Sequence, residues 1–532
     1  MATFAPRGFS IPNPLAPLIN DHNYQWWATV PVIMAMFIVI MDSSIVNVAL
    51  PHMMAAFGSS VEDIEWVSTG YMLSSAIMMP TTGFLSDRFG RKRIYWMCIL
   101  AFTIISMFCG AAWDNGSLVF FRVLQGVVGG AIQPIGQAIL YEAFPPEQRG
   151  MSMAIVGMGA MLAPMLGPTL GGYLVDYINW RWIFYVNLIP GIMAALLAVM
   201  VLREAPLRLV KFDAVGFYSM ALFLSTLLLG VSQGDSKGWS SDYIIALFVV
   251  AAISFAAFLI AEFWRTHPVV ELRLYKYATY TAGTIVSIVV GIALFGGTFL
   301  LPLFLQNLMG YDAITTGLIM MPSGLAVGIM MPVAGRLMNK VDPRLMMTIG
   351  LLLMGYSLYL QGTMTTDTSI LEIVWWTILR GFGMGLVFPT MSQTTLAAVP
   401  IQQIGQASGL FNVTRQIGGS FGIAALSTLL TQRTIYHQTM MGTNAAHTGQ
   451  AALVIGQLKA SLMAHGASAM MAQQQAQAIF GATAMKTASM YGFQDAFWVA
   501  AMLAFLGIIP VLFVRRTWQV GGSKEQIHVA ME

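Results

Sequence analysis

Charge is what this 532-residue chain has least of: Asp, Glu, Lys and Arg make up 9% of it, against 57% hydrophobic residues. Soluble globular domains carry about a quarter charged residues, so a soluble fold is excluded and a polytopic membrane protein is indicated. Cysteine is scarcer still. Cys98 and Cys109 are the two present, in one apolar segment, roughly 16 Å apart along a helix and too distant for a mutual disulfide. Neither metal nor redox chemistry is indicated, and none of the seven histidines (22, 52, 267, 437, 447, 465 and 528) falls in a long apolar run, which argues against a histidine proton relay. HExxH and a convincing nucleophile elbow are missing. The GFGMG run from Gly381 lies in an apolar stretch without the Lys-Ser/Thr that phosphate binding needs. Enzymatic and ATP-driven functions lose their usual residues, and no cofactor is expected. The net charge of +3 comes from basic residues dispersed at the ends of apolar segments, as topology determinants are, so no nucleic acid partner is expected. The first 25 residues hold four prolines and no compact apolar core, unlike a cleaved signal peptide.

Long apolar runs are abundant. A spanning helix needs about 20 predominantly apolar residues, and fourteen runs qualify: 28–50, 66–84, 94–112, 117–140, 151–173, 183–202, 214–232, 243–261, 282–305, 313–333, 345–362, 374–393, 405–431 and 496–514. With both termini cytoplasmic, the inner connections collect 18 Lys and Arg and the outer ones 5, with Arg122, Arg380 and Arg415 inside runs. That asymmetry supports the count and the orientation together, because one missed span would scramble the alternation.

Two stretches look like copies of one loop: GFLSDRFGRK at 83–92 and GRLMNKVDPR at 335–344. A helix with an Arg before a Gly-rich stretch follows each, FRVLQGVVGG from Phe121 and LRGFGMGLVF from Leu379. The expected organisation is a cytoplasmic segment 1–27, a six-helix half 28–202, two extra helices with linkers at 203–281, a second six-helix half 282–514, and a cytoplasmic tail 515–532. Parallel repeats of this kind belong to transporters that rock one half against the other. Residues 433–492, rich in Ala, Gln and Met, interrupt the pattern of short outer loops. Their composition favours either an αα-hairpin on the outer surface or a long loop.

One carboxylate stands apart. Asp42 lies within FIVIMDSSIVNVALP, the acidic residue set deepest in an apolar run. At membrane depth a charge costs at least about 2.5–3.5 kcal/mol, so Asp42 must be paired, hydrated or protonated. Arg122 lies about five residues into its own run, at the same depth on the expected topology. The two are therefore expected to meet, either as a fixed pair that orients helices or as a switch in which Arg122, water and substrate set the protonation of Asp42. Arg380 and Arg415 have no acidic partner in their half; they cap helices, contact backbone carbonyls or line a route for an anionic group. Gln133, Gln137, Gln306, Gln393, Asn412 and Arg415 are the substrate-cavity candidates, each equally able to bridge helices.

Three motifs carry a resemblance. GFLSDRFGRKR from Gly83 to Arg93 is similar to the loop signature of the major facilitator superfamily, and GMGAMLAPMLGPTLGG from Gly157 to Gly172 resembles the antiporter motif of that superfamily. MDSSIVNVALP resembles the first-helix signature of the fourteen-span drug:proton antiporters of the EmrB/QacA type, with WRWIFYVNLIPG and GQASGLFNVTRQIGGSFG as further matches. The resemblance implies an all-α integral membrane protein with the major facilitator fold: two six-helix halves, two extra central helices, fourteen spans and both termini cytoplasmic. It implies a bacterial inner-membrane exporter of hydrophobic or amphiphilic compounds, driven by the proton gradient. It further implies a conformational latch at Gly83, Asp87, Arg88, Gly90 and Arg91. Asn339 replaces the Asp87 counterpart in the second loop copy. The antiporter motif falls on Gly157, Pro164, Gly167, Pro168, Gly171 and Gly172. Proton coupling falls on Asp42 and Arg122. Expected partners are protons, membrane lipids, a lipophilic or amphiphilic small molecule, and a periplasmic adaptor with an outer-membrane channel. Export of one dedicated metabolite, lipid or siderophore is the alternative; a receptor or scaffold would need neither Asp42 nor the antiporter motif.

Overall fold

A computed structural model describes residues 16–204, 207, 213–264, 270–338, 340–448 and 450–514. The expected tail at 515–532, most of the segment 1–27 and Asn339 lie outside the described residues. The described residues form helices and no strands, as a lipid solvent demands of a chain whose backbone groups must be satisfied within each segment.

The N-terminal half comprises α1 (Tyr24–Phe57), α2 (Val61–Phe89), α3 (Arg91–Gly110), α4 (Asn115–Ala143), α5 (Arg149–Tyr177), a short α6 (Trp182–Tyr185) and α7 (Leu188–Val201). The extra pair is α8 (Ala214–Lys237) and α9 (Asp242–Trp264). The C-terminal half comprises α10 (Ala278–Asn307), α11 (Ala313–Leu337), α12 (Pro343–Gln361), α13 (Ile370–Ala397), α14 (Ile404–Thr448), α15 (Gln450–Ala464), α16 (Ala469–Leu506) and α17 (Ile508–Val511). Twelve helical segments among the described residues are long and apolar enough to cross a membrane. Two others, α2 and α14, are long enough but carry polar residues such as Ser74, Thr82, Ser408 and Asn412 through their length. Together these correspond to the fourteen runs.

Most helices outrun their apolar cores. Pro31 and Pro51 lie within α1, which ends at Gly58 with φ of 61°, a conformation that favours glycine. The run at 183–202 is instead broken between Tyr185 and Leu188, and that break places Asn187.

Residues 433–492 are neither a separate unit nor a loop. At about 1.5 Å per residue, the 45 residues of α14 and the 38 of α16 outreach the roughly 30 Å hydrocarbon layer, so both run from the span straight into the projecting part. The hairpin reading holds for α15 and α16, which pack together around Gly466, with φ of 94°. At the base of the projection Asp495 accepts bonds from Arg433 at 2.5 Å and His437 at 2.8 Å.

One apolar core centres on Tyr95, Phe102 and Tyr141 of the N-terminal half and reaches Tyr280 and Leu410 of the other, and a second centres on Phe304, Phe388 and Phe497. The halves meet along α5 with α11 and α2 with α14. The pair α8–α9 covers the second seam: α8 packs on α2 and α14, with Leu228 against Leu73 and Ala76. Ile253, Phe263 and other large side chains of α9 are exposed, as lipid-facing residues are.

Candidate functional site

Glycines bring the charged residues of the N-terminal half into contact. A Cβ on Gly126 would collide with Ser74 Oγ and the Tyr71 backbone, and one on Gly130 with the Ser75 backbone. Small residues at this spacing let membrane helices approach closely, here α4 against α2. The approach carries Arg122 to the Val67 carbonyl, to which its Nε donates at 3.1 Å, and sets its guanidinium 4.2 Å from the Tyr71 ring centroid.

Arg122 and Asp42 form an ion pair of 2.5 Å between side chains 1% and 0% exposed. Arg122 also donates to Gln125 Oε1 at 2.8 Å. Gln125 Nε2 donates to Asp42 Oδ1 at 3.3 Å and Asn187 Nδ2 donates to the same oxygen at 2.7 Å. Behind Asn187, Ser106 Oγ donates to the Phe184 carbonyl at 2.9 Å. All three partners of Asp42 therefore donate, an arrangement that matches an ionised carboxylate. Asn187 Oδ1, by contrast, is buried with no hydrogen-bond partner.

Of these residues Asp42 and Arg122 were singled out in the sequence, whereas Asn187 and Ser106 were missed. The available signal was Asn187 inside WRWIFYVNLIPG, a polar side chain in an apolar run.

The cavity candidates separate. Gln137, Asn412 and Arg415 meet in one network across the two halves: Asn412 Nδ2 donates to Gln137 Oε1 at 2.7 Å, Ser408 Oγ donates to the same oxygen at 3.0 Å, and Arg415 donates to Asn412 at 3.1 Å. Arg415 also lies 5.1 Å from the Phe388 ring centroid. Gln133 and Gln393 are half-buried and outside this network. Gln306 is exposed near the end of α10 and outside this network.

The loop residues bring the same end of both halves together. Gly83 leaves no room for a Cβ against Gln406 of α14, and Gly150 abuts Gly335 of α11 and Met338, which follows that helix. Arg91 pairs with Glu142. Gly90 adopts φ of 95°, and the next amides, Lys92 and Arg93, donate to the Glu204 carboxylate at 2.9 and 3.1 Å, so an acidic group caps the N-terminus of α3 as its dipole favours. Arg88 lies 5.7 Å from the Phe89 ring centroid.

The antiporter-motif glycines are packing residues on two faces of α5. Gly167 and Gly171 fit against Ser44 and Ile45 of α1, while Gly157 fits against Met331 of α11 and Phe388 of α13. Gly172 has open space around it and Pro164 is exposed; Pro168 shares the helix. The motif thus joins the Asp42 helix to the opposite half.

Residues 32–423 match the family model of the Major Facilitator Superfamily. The multidrug export protein EmrB of Escherichia coli K12 is 32% identical over 417 residues, 78% of this chain and 81% of EmrB. The fatty acid resistance protein FarB of Neisseria gonorrhoeae is 30% identical over 493 residues, 92% of this chain and 96% of FarB. Among solved structures, the human organic anion transporter MFSD10 superposes with a TM-score of 0.61 at 13% identity, covering 92% of this chain and 99% of its own. The proton:xylose symporter XylE superposes with 0.60 at 13% identity, covering 94% and 97%; both likenesses concern the fold. With its helices, its two halves and these relatives, the chain is a multi-pass protein of the bacterial inner membrane that belongs to the major facilitator superfamily, among exporters of the EmrB type.

Proposed function

We propose that this chain is a proton-coupled antiporter that exports hydrophobic or amphiphilic compounds by alternating access, with fourteen spans and both termini in the cytoplasm. The observation that carries the reading is Asp42 itself, a buried carboxylate of α1 held by a cation and an amide of α4 and by a second amide at the α6–α7 break. Protonation removes the charge that Arg122 pairs with and introduces a donor where every neighbour also donates. The neighbours must then rearrange. Asn187 is placed to do so, because turning its amide offers Asp42 the Oδ1 that now has no partner. Asp42, Arg122 and Asn187 stand on α1, α4 and the α6–α7 break, so the change of charge alters how these elements hold together, and α5 relays it toward the other half through Gly157 and Gly167.

The Gln137–Asn412–Ser408 network and the Gly83 and Gly150 contacts close one end of the molecule. They act as the inner gate, which parts once Asp42, facing outward, has exchanged substrate for a proton. Binding energy that differs between the two states is what moves such an equilibrium. The projection built from α14, α15 and α16 presents exposed Leu453, Met470, Met471 and Met485, a surface suited to a periplasmic adaptor that leads to an outer-membrane channel. EmrB is named for multidrug export and FarB for fatty acid resistance; the latter favours, as a second reading, a dedicated exporter of one lipid-like compound on the same scaffold.

Purified protein in proteoliposomes with an imposed proton gradient tests the coupling, with ethidium as cationic probe. Wild type is expected to move ethidium against its gradient with matching proton flux, and Asp42→Asn to lose at least about 100-fold of the gradient-driven rate while still binding the dye. Coupled transport that survives Asp42→Asn at normal protein levels removes Asp42 from the mechanism.

A further inference from the structure

The C-terminal half contains a second buried arginine with nothing to neutralise it. Arg380 opens the Gly-rich stretch of α13 as Arg122 precedes that of α4, and it is only 5% exposed. Its Nη1 has no hydrogen-bond partner, and among the described residues no carboxylate pairs with it. The surrounding packing repeats that of the first half: Gly381 fits against the Ser323 backbone and Gly385 against Met330, holding α13 on α11 as Gly126 and Gly130 hold α4 on α2.

The missing partner can be located. The two loop copies lie 252 residues apart and the two arginines 258, so the counterpart of Asp42 falls between positions 294 and 300 of α10. Within that window stands Gly297, and a Cβ there would meet the Arg380 Nη1. Where one half places a carboxylate against its arginine, the other places a hydrogen atom and leaves the guanidinium facing it. A buried guanidinium with an unused donor is costly unless a charge reaches it, and a guanidinium binds multi-oxygen anions such as carboxylates, phosphates and sulfonates through paired hydrogen bonds.

The geometry points to Arg380 as the binding residue for the anionic headgroup of an amphiphilic substrate, which supplies in trans the negative charge that Asp42 supplies in the first half. This rests on the exporter reading above and adds the substrate class that the second half recognises. A cation competes with the proton at Asp42; an anion is held at Arg380. Gly297 sets the room available.

Two permanently charged probes of equal chain length test this in proteoliposomes of phosphatidylcholine: dodecanesulfonate and dodecyltrimethylammonium. Arg380→Gln is expected to lower gradient-driven sulfonate transport at least tenfold and to change ammonium transport less than twofold, with Arg380→Lys intermediate. Gly297→Asp, which installs the missing carboxylate, is expected to give the same selective loss, and it keeps the test decisive should Arg380→Gln not fold. An equal loss for both probes, or unchanged sulfonate transport, overturns the proposal. So does a wild type that moves ammonium alone, which leaves the exporter reading standing; a wild type that moves neither probe overturns that reading instead. Repeating the sulfonate assay with phosphatidylglycerol distinguishes a lipid occupant. If sulfonate transport by wild type depends on that lipid and the dependence vanishes in Arg380→Gln, the site belongs to a bound lipid and not to the substrate.

Discussion

Arg122 and Arg380 occupy corresponding places in the two halves and live in opposite electrostatic worlds. The first donates to a carboxylate, an amide and a backbone carbonyl; the second has a buried Nη1 with no partner and a glycine in front of it. Both sit on Gly-rich helices that press against a neighbour, so the backbone scaffold is shared and the chemistry differs only in side chains. A duplicated fold can therefore hold a neutralised ion pair in one copy and an unneutralised cation in the other.

The largest effect should come from removing the two arginines in turn. Arg122→Gln strands Asp42 as a buried unpaired charge and is expected to cost about 3–5 kcal/mol of stability, with the double replacement Asp42→Asn/Arg122→Gln costing clearly less. Arg380→Gln removes a cation that has no counter-ion, and its melting temperature in detergent should equal or exceed that of the wild type. A comparable loss in both single variants would mean that Arg380 has a protein partner after all, and the contrast between the halves would fail.

Next in size is the packing that the halves have in common. Gly126→Val drives a side chain into Ser74 and the Tyr71 backbone, and Gly381→Val drives one into the Ser323 carbonyl. Overpacking of this kind costs about 1–3 kcal/mol, and thermal melting should report similar losses for the two. Their transport should diverge, because Gly126→Val also moves Arg122 away from Asp42 and abolishes coupling, whereas Gly381→Val leaves that pair intact.

The smallest effect concerns the ends of the same two helices. Asp114 caps α4, accepting from the Ser117 amide at 2.7 Å, and Ser369 caps α13, accepting from the Glu372 amide at 3.3 Å. The bonds from Ser117 hold the Asp114 carboxyl below its usual pKa. A carboxylate whose pKa is lowered by folding stabilises fully above its unfolded value and loses that contribution as the pH falls through the folded one. The destabilisation by Asp114→Ala should therefore be slight at pH 7 and vanish in acid, while that of Ser369→Ala should stay flat. Melting curves of both variants from pH 7 to 3 check the difference.

Much of the site was legible in the sequence for one reason: charge in an apolar run has few places to go. Asp42 and Arg122 could be matched because topology fixed their depth. Gln137 and Asn412 could be named but not joined, since any polar side chain in a span bridges helices as readily as it lines a cavity. Asn187 escaped because the break between α6 and α7, which turns it toward Asp42, is set by tertiary packing around Phe184 and Ser106.

By itself the sequence determined the membrane class, the number of apolar segments and the twofold repeat, because these follow from composition and periodicity and need no knowledge of neighbours. Only the tertiary structure decided who meets whom. Asp42 and Asn187 lie 145 residues apart, and Gln137 and Asn412 lie 275 apart, so no local pattern encodes either contact. The same holds for the orphaned Arg380. A missing partner is a property of three-dimensional space, visible once Gly297 is seen to stand where a carboxylate would.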